Sequence, residues 1–552
     1  MHPEQRRTVV AVPRMLLRIY FASFFVCSAV ARKPNFLLII VDDLRTSLGC
    51  YGDLNAQTPN IDRLAKEGAI FSQAYSQQAL CAPSRNSFLT SRRPDTLHLY
   101  DFYSYWRDNI GNFTTLPQHL KEHGYVTKSV GKIFHPGISS NGSDDSPYSW
   151  SEKPFHSYTN KYKNARVCQS NSSSLPSRNL VCPVNLLNMP NGTLPDIEIV
   201  DEAARFLRDH ASNPDPFLLA VGFQKPHIPL KYPEKYQKNH PIEKFQLPVP
   251  YSWPENVSAV AYNPWMDLRK REDVESLHLK FPWEKIPVSF GKEIMQSYYA
   301  AVTYIDDLIG KLINYLEAYS FRENTVILLT SDHGWSLGEH AVWGKYSNFD
   351  VAVKVPLVIS LPTLVTKTWP MTRPQKSPVV VDAIVELVDI FPTIADLAGI
   401  PIPICTEETT VATCSEGISF VPPLRVARNK LKCIAWKKAA FSQYPRPGLK
   451  PTWNPNSDEP RLEEINIMGY TLKTPRYRYT AWLHFLPDSC KSDWTTVYAE
   501  ELYDHELDAA ETRNLATFEK YSLIKSSLRV SLIEGWTQAL PANFTQPLSF
   551  TL

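Results

Sequence analysis

Cys81-Ala82-Pro83-Ser84-Arg85, followed after three residues by Leu89-Thr90-Ser91, carries the most chemistry in this sequence. A helix beginning near the cysteine puts Arg85 one turn on, on the same face as the cysteine side chain. Four other stretches combine charge with tight turns: Asp42-Asp43, Lys132-Ile133-Phe134-His135 between glycines, Lys225-Pro226-His227, and Asp332-His333-Gly334. A loop with His340, Trp343 and Lys345 follows the last of them. Adjacent carboxylates repel one another unless a cation sits between them. Asp42, Asp43, Asp332 and His333, brought together, would suit a hard divalent cation such as Ca²⁺, although an imidazole more often marks a transition metal. Each stretch has a plainer reading. A buried cysteine is usually a small hydrophobe, Asp43 can simply cap a turn, and a Lys-His pair is usually solvated surface.

The elements around these stretches remove much of that ambiguity. Residues 35–41, 217–223 and 325–330 are apolar without alternation, as strands buried on both faces of a parallel sheet are. Each ends in acidic or histidine-bearing residues, and the carboxyl edge of an open α/β sheet is where ligands bind. Further strands are expected at 125–130 and 356–361. Helices are expected from Asn60 as N-cap to Gly68, after Thr115, at 197–210 and at 293–319, with a helix pair at 381–399. Residues 230–290 read as a long loop region. Beyond about residue 400 the pattern changes: 444–460 is a proline-rich linker, 465–485 suggests antiparallel strands, and 522–537 a terminal helix. The expected division is 1–31 signal peptide, 32–435 catalytic domain, and 436–552 a smaller α+β subdomain.

Bulk properties place the chain in the secretory pathway. Arg6, Arg7 and Arg14 precede an apolar run and the small residues Ala29-Val30-Ala31, the pattern of a cleaved signal. The formal charge is +2 over 552 residues, and no basic block suggests nucleic acid. No later stretch is long enough for a membrane span. Sequons at Asn112, Asn141, Asn171, Asn191, Asn256 and Asn543 are glycosylation candidates. Cys168 with Cys182, and Cys405 with Cys414, are spaced for local disulfides; Cys433 and Cys490 are a further candidate pair and Cys50 the candidate free thiol.

Taken in order, Asp-Asp, Cys-x-Pro-Ser-Arg, Gly-Lys-x-x-His, Lys-Pro-His, Asp-His-Gly and a final lysine resemble the type I, formylglycine-dependent sulfatase family from about residue 33 onward. Ser91 stands where the family signature has glycine. The resemblance implies an alkaline-phosphatase-like fold: a large mixed, mostly parallel sheet sandwiched by helices, with a smaller C-terminal subdomain containing an antiparallel sheet. It implies that Cys81 is oxidised to formylglycine by dedicated cellular machinery, and that the hydrated aldehyde is the nucleophile. Asp42, Asp43, Asp332, His333 and the modified Cys81 would ligate one Ca²⁺. Arg85, Lys132 and Lys345 would neutralise the hydrate and the sulfate, His135 would take a proton, and His227 with Lys345 would serve the leaving oxygen. Trp343, Lys132, His227 and Lys345 are the expected substrate contacts. Within that family the stretches 39–45, 129–141, 260–267 and 344–352 carry a closer resemblance, which implies a lysosomal enzyme removing the 2-O-sulfate of non-reducing-end L-iduronate in heparan and dermatan sulfate. The alternatives are a sulfatase for another glycan, a phosphatase or phosphodiesterase of the alkaline-phosphatase superfamily, and a glycan-binding protein with a dead site.

Overall fold

Seven strands form the central sheet: β1 (Asn35–Val41), β2 (Ala69–Phe71), β3 (Val126–Gly131), β4 (Phe217–Phe223), β5 (Thr325–Ser331), β6 (Leu357–Ser360) and β7 (Val379–Val381). The computed structural model describes residues 33–168, 175–362, 377–406, 411–429 and 434–541. The chain divides by contacts into Met1–Lys33 and one compact unit, Pro34–Leu552; everything below concerns the second.

The spatial order is β7-β2-β6-β5-β1-β4-β3. Six strands run one way and only β6 runs against them. The central position of β1 explains its unbroken apolar sequence. Its alternate residues enter two cores, Leu37, Ile39 and Val41 on one side and Phe36, Leu38 and Ile40 on the other. The first core is closed by Pro59–Lys66 and by two long helices, α2 (Pro195–His210) and α3 (Val288–Ala318). The second is closed by the helix that carries the cysteine, α1 (Cys81–Thr90), with Leu116–Glu122 and Ile390–Leu397. A strand between two helical layers must be apolar throughout.

Several sequence expectations need correcting. The helix expected from Asn60 is Pro59–Lys66 with Thr58 as N-cap. Asn60 lies inside it, its Nδ2 donating to Asp306 Oδ2 at 2.9 Å. Residues 381–399 are not a helix pair. The β-branched Val379–Val381 adds to the sheet beside β2, Val385–Glu386 pairs with Ala74–Tyr75, and only Ile390–Leu397 is α-helix. The C-terminal sheet is larger than 465–485 suggests: β8 (Ala440–Arg446), β9 (Ile467–Lys473), β10 (Tyr477–Leu486) and β11 (Lys491–Asp504) form an antiparallel meander. β8 lies at its edge, where Pro445 is tolerated, so the proline that suggested a linker marks an edge strand. A terminal helix, α4 (Ser522–Ala539), packs against this sheet through Leu528 and Leu532.

Both local disulfides are formed, Cys168–Cys182 and Cys405–Cys414, with Cα separations of 4.8 and 5.0 Å. Among the described residues Cys50 and Cys490 are in no disulfide, and Cys433, the expected partner of Cys490, lies outside the described residues. Asn112, Asn141, Asn191 and Asn256 are exposed; Asn171, Asn543 and residues 1–31 lie outside the described residues. No helix among the described residues is long and apolar enough to cross a membrane.

Candidate active site

The central strands deliver their terminal residues to one rim. β1 and β5 are parallel neighbours with Val41 level with Ser331, so Asp42-Asp43 and Asp332-His333 emerge side by side. β4 flanks β1 on the other side and leads to His227. Two glycines make the third approach possible. Gly131 has φ +83°, and a Cβ on either Gly131 or Gly222 would strike the opposing backbone within about 2 Å. Their absence of side chains lets Lys132 N–H donate to Gly222 O at 2.9 Å, which turns Lys132 into the rim.

Cys81 opens α1 directly beneath this edge. Its Sγ lies 3.0 Å from Lys345 Nζ, 3.4 Å from His333 Nε2 and 3.5 Å from Asp42 Oδ1. Asp42 accepts from Lys132 Nζ at 2.7 Å and from Arg85 Nη2 at 3.1 Å. Asp332 accepts from Arg85 Nε at 2.9 Å, and Asp43 accepts from Lys345 Nζ at 2.9 Å. All of these side chains are buried. Two sets of four donors can converge on a metal ion: Asp42, Asp43, Cys81 and His227, and Asp42, Cys81, Asp332 and His333.

Asp43 carries the clearest sign that a cation belongs here. It is fully buried, its Oδ2 has no hydrogen-bond partner, and its backbone has φ 62°. Burial, with the negative charges of Asp42 and Asp332, pushes its carboxyl up to about 7 despite Lys345. Burial would raise Asp42 too, but Lys132, His227, Arg85 and Lys345 hold it well below the usual carboxylate range. His333 Nδ1 is 3.0 Å from Gly334 O, which fixes the tautomer with Nε2 free as a ligand. Burial lowers His333 to about 4, keeping it neutral as a metal ligand must be. The donor set therefore fits a divalent cation.

Three carboxylates face three cations, Arg85, Lys132 and Lys345, and burial holds the thiol protonated by raising Cys81 to about 12. The cluster is near neutral by itself, and a divalent ion would make it an anion-binding pocket. A cavity of about 230 Å³ lined by Arg93, Asp95, Tyr470 and Trp536 lies toward the other end of α1 and contains none of these groups.

The remaining expected residues divide. His227 is half-buried, with Nδ1 2.7 Å from Ile228 O and Nε2 4.0 Å from Asp43 Oδ2. His135 is half-buried against Phe102, with ring centroids 4.5 Å apart and Nδ1 unpartnered. Burial, together with Lys132, keeps His135 well below its ordinary pKa. Arg85, expected to face the nucleophile and the sulfate, spends its donors on Asp332, Asp42, Lys132 O and Ile133 O. Trp343, expected as an aromatic wall at the mouth, is fully buried in the first core, where its ring meets Gly291 of α3. Sequence reasoning missed Ser84, whose hydroxyl donates to Asp332 O, and Tyr298, whose hydroxyl donates to Asp43 O at 2.7 Å. Ser84 lies inside the quoted motif. Tyr298, in the middle of α3, carries no local signal.

A metal-ready acidic rim beside a cysteine at a helix start, on this mostly parallel sheet, defines a class. Residues 34–400 match the sulfatase family, and the chain belongs to it. Family membership implies a formylglycine and a divalent metal. Among curated proteins the chain is 47% identical over 501 residues to the iduronate 2-sulfatase of Homo sapiens, covering 87% of this chain and 90% of that one. It is 46% identical over 515 residues to the iduronate 2-sulfatase of Mus musculus, covering 90% and 93%. The solved phosphonate monoester hydrolase of Silicibacter pomeroyi superposes with a TM-score of 0.65 at 19% identity, over 93% of this chain and 97% of that one, so the fold extends beyond sulfatases.

Proposed function

We propose that this chain hydrolyses the 2-O-sulfate of non-reducing-end L-iduronate in heparan and dermatan sulfate, using formylglycine made from Cys81 and one Ca²⁺. The observation that carries this reading is the near-half identity, over about nine tenths of both chains, to two iduronate 2-sulfatases. The signal-like residues 1–31 and the exposed sequons support routing through the secretory pathway to the lysosome.

Asp42, Asp43, Asp332 and His333 would hold the cation, which supplies charge stabilisation on the sulfate oxygens and a lowered pKa for the nucleophile. Arg85 sets the spacing of Asp42 and Asp332, since one guanidinium binds both carboxylates. Lys132 and Lys345, both buried, are placed to neutralise charge that develops on the sulfate. His135, held neutral, is a proton acceptor at the edge of the pocket. His227 directs Nε2 inward because Nδ1 is engaged with Ile228 O. Burial and Lys163 keep its pKa low, so the negative charge of the substrate must raise it before it can protonate the departing sugar oxygen.

The test is a panel of defined sulfated disaccharides with the purified, modified protein, and a metal analysis of the same preparation. The expected result is turnover of iduronate 2-sulfate ends, little on glucosamine 6-sulfate ends, and about one calcium per chain. Comparable kcat/KM on the two ends would reject the substrate, and stoichiometric zinc without calcium would reject the metal.

A further inference from the structure

A sulfated uronic acid carries two anions, and the groups already described account for only one. Lys345, an expected substrate contact, has its ammonium committed to the sulfate side, to Asp43 Oδ1 at 2.9 Å and to Cys81 Sγ at 3.0 Å. Trp343 is inside the core. The second anion must be met by other groups.

The rim can be followed from contact to contact. Lys345 is joined in sequence to Tyr346, whose hydroxyl donates to Asp267 Oδ2 at 2.6 Å. One turn after Asp267, Arg271 reaches across with Nη1 to Asn164 Oδ1 at 3.0 Å. Asn164 follows Lys163, and the carbonyls of Tyr162 and Lys163 are held by Lys231 Nζ, both at 3.1 Å. Lys231 belongs to the short strand Leu230–Pro233, just after His227, and His227 returns to Asp43 at 4.0 Å. These links run from Lys345 back to Asp43, and Lys163 among them is within electrostatic reach of Lys132, Asp42 and Lys345.

Three cations along these links, Lys231, Arg271 and Lys163, have no ion pair among the described residues, and Lys231 Nζ is spent on two carbonyls, which leaves Arg271 and Lys163. Arg271 is half-buried, its Nε is buried with no hydrogen-bond partner, and among the described residues no carboxylate reaches ion-pair distance of it. Asp267 and Asp273 lie near enough to oppose the lowering of its pKa by burial, but neither is in contact with it: Asp267 Oδ2 accepts from Tyr346, and Asp273 accepts from the N–H groups of Leu180 and Val181. Lys163 is exposed, and its ammonium likewise has no ion pair among the described residues. An exposed lysine is ordinarily solvated surface, but this one is pinned by its own backbone next to Asn164, which Arg271 holds. The protein around it and the positive charges of Lys132, Arg271 and Lys345, partly offset by Asp42, lower its pKa to about 8, so it remains charged in acid and at neutrality. Leaving a half-buried guanidinium unpaired is costly unless an anion arrives.

We infer that Arg271 and Lys163 form the carboxylate-binding side of the substrate pocket, with Arg271 the principal contact to a uronate held beside the sulfate site. This rests on the proposed reading of the substrate. A planar guanidinium suits a carboxylate, and an uncharged sugar at the same place would leave the cation unsatisfied, which is how such a site discriminates.

The experiment pairs two substrates with each enzyme: an iduronate 2-sulfate disaccharide, and the same disaccharide with its terminal carboxyl reduced to the alcohol. The readout is the ratio of their kcat/KM values, in which differences in folding or modification between preparations cancel. Wild type is expected to favour the carboxylate, Arg271→Gln to cut the ratio roughly 10- to 100-fold, Lys163→Gln to cut it less, and Arg271→Lys to restore part of it. An unchanged ratio in Arg271→Gln and Lys163→Gln, with wild type turning over the iduronate ester, overturns this inference alone. Failure of wild type on the iduronate ester, while it hydrolyses sulfated glucosamine, overturns the substrate reading and this inference with it.

Discussion

Ser91 ends α1 in the left-handed region, at φ 52° and ψ 37°, a conformation that glycine adopts freely and serine does not. That accounts for the glycine of the family signature. Here the serine is retained by its surroundings: its hydroxyl donates to Val388 O and lies 2.7 Å from Ser415 Oγ, all buried. In the folded protein Ser91→Gly relieves backbone strain and loses these contacts, so stability should change by less than about 1 kcal/mol. The proposed oxidation of the cysteine would precede folding, so the modifying machinery would meet only the extended motif. Ser91→Gly should therefore raise the fraction of chains carrying formylglycine while leaving turnover per modified chain unchanged. The mass of the tryptic peptide containing position 81 reads that fraction directly. Active protein with only unmodified cysteine would rule out the nucleophile itself.

The element that presents the cysteine is unusual in being buried on every side. All ten residues of α1 are buried, so no amphipathic stripe orients it. Its orientation is instead imposed at its ends. At the start, Ser84 and Arg85 bind the β5 terminus; beyond the end, Arg93 forms two bonds with Glu386 at 2.8 and 2.9 Å. Lys437, just before β8, binds the same Glu386 at 2.8 Å and Asp389 at 2.5 Å. A buried network of this kind is sensitive to the loss of one member, because the carboxylates left behind cannot be resolvated. Lys437→Met should destabilise the protein by about 3–5 kcal/mol, with Glu386→Gln in the same chain recovering part of the loss. Thermal denaturation of both variants checks this, and an unchanged transition in Lys437→Met would show that the network does not anchor the helix.

Across the whole molecule, the C-terminal sheet is tied to the site loops at several points. Asn348 Nδ2 donates to Gly469 O at 2.9 Å, Arg446 Nη2 to Tyr346 O at 2.6 Å, and Met266 N–H to Asp458 Oδ2 at 2.7 Å. Burial raises Asp458 to about 8, above the unfolded value of about 3.9, despite the Met266 N–H and Arg446. A raised acid contributes stability that is full below about pH 4 and is lost as pH rises toward about 8. Glu386 has the opposite sign. Burial would raise it, but Arg93 and Lys437 hold it at about 2, so its contribution is present above about pH 4.3 and is lost only in stronger acid. Together these two groups favour mild acid. Asp458→Asn should gain stability over wild type as pH goes from 5 to 8, by about 2 °C or more in Tm. A Tm difference independent of pH would exclude Asp458 as a source of this dependence.

Local sequence by itself determined the reactive groups and the strands that end in them. Cys81, the pairs Asp42-Asp43 and Asp332-His333, and the rim lysines and histidines were legible because short motifs and unbroken apolar runs are signals along the chain. The parallel sheet was legible because burial on both faces leaves no alternation. Tertiary structure alone decided which way each group faces and what it is free to do. Trp343 reads as an aromatic platform until the packing of α3 encloses it. Arg85 reads as a sulfate ligand until two carboxylates, far apart in sequence, take its donors. Arg271 and Lys163 carry no motif, and they stand out only because the fold leaves them without an ion pair among the described residues. Charge satisfaction is a property of neighbours in space, and the sequence orders neighbours only along the chain.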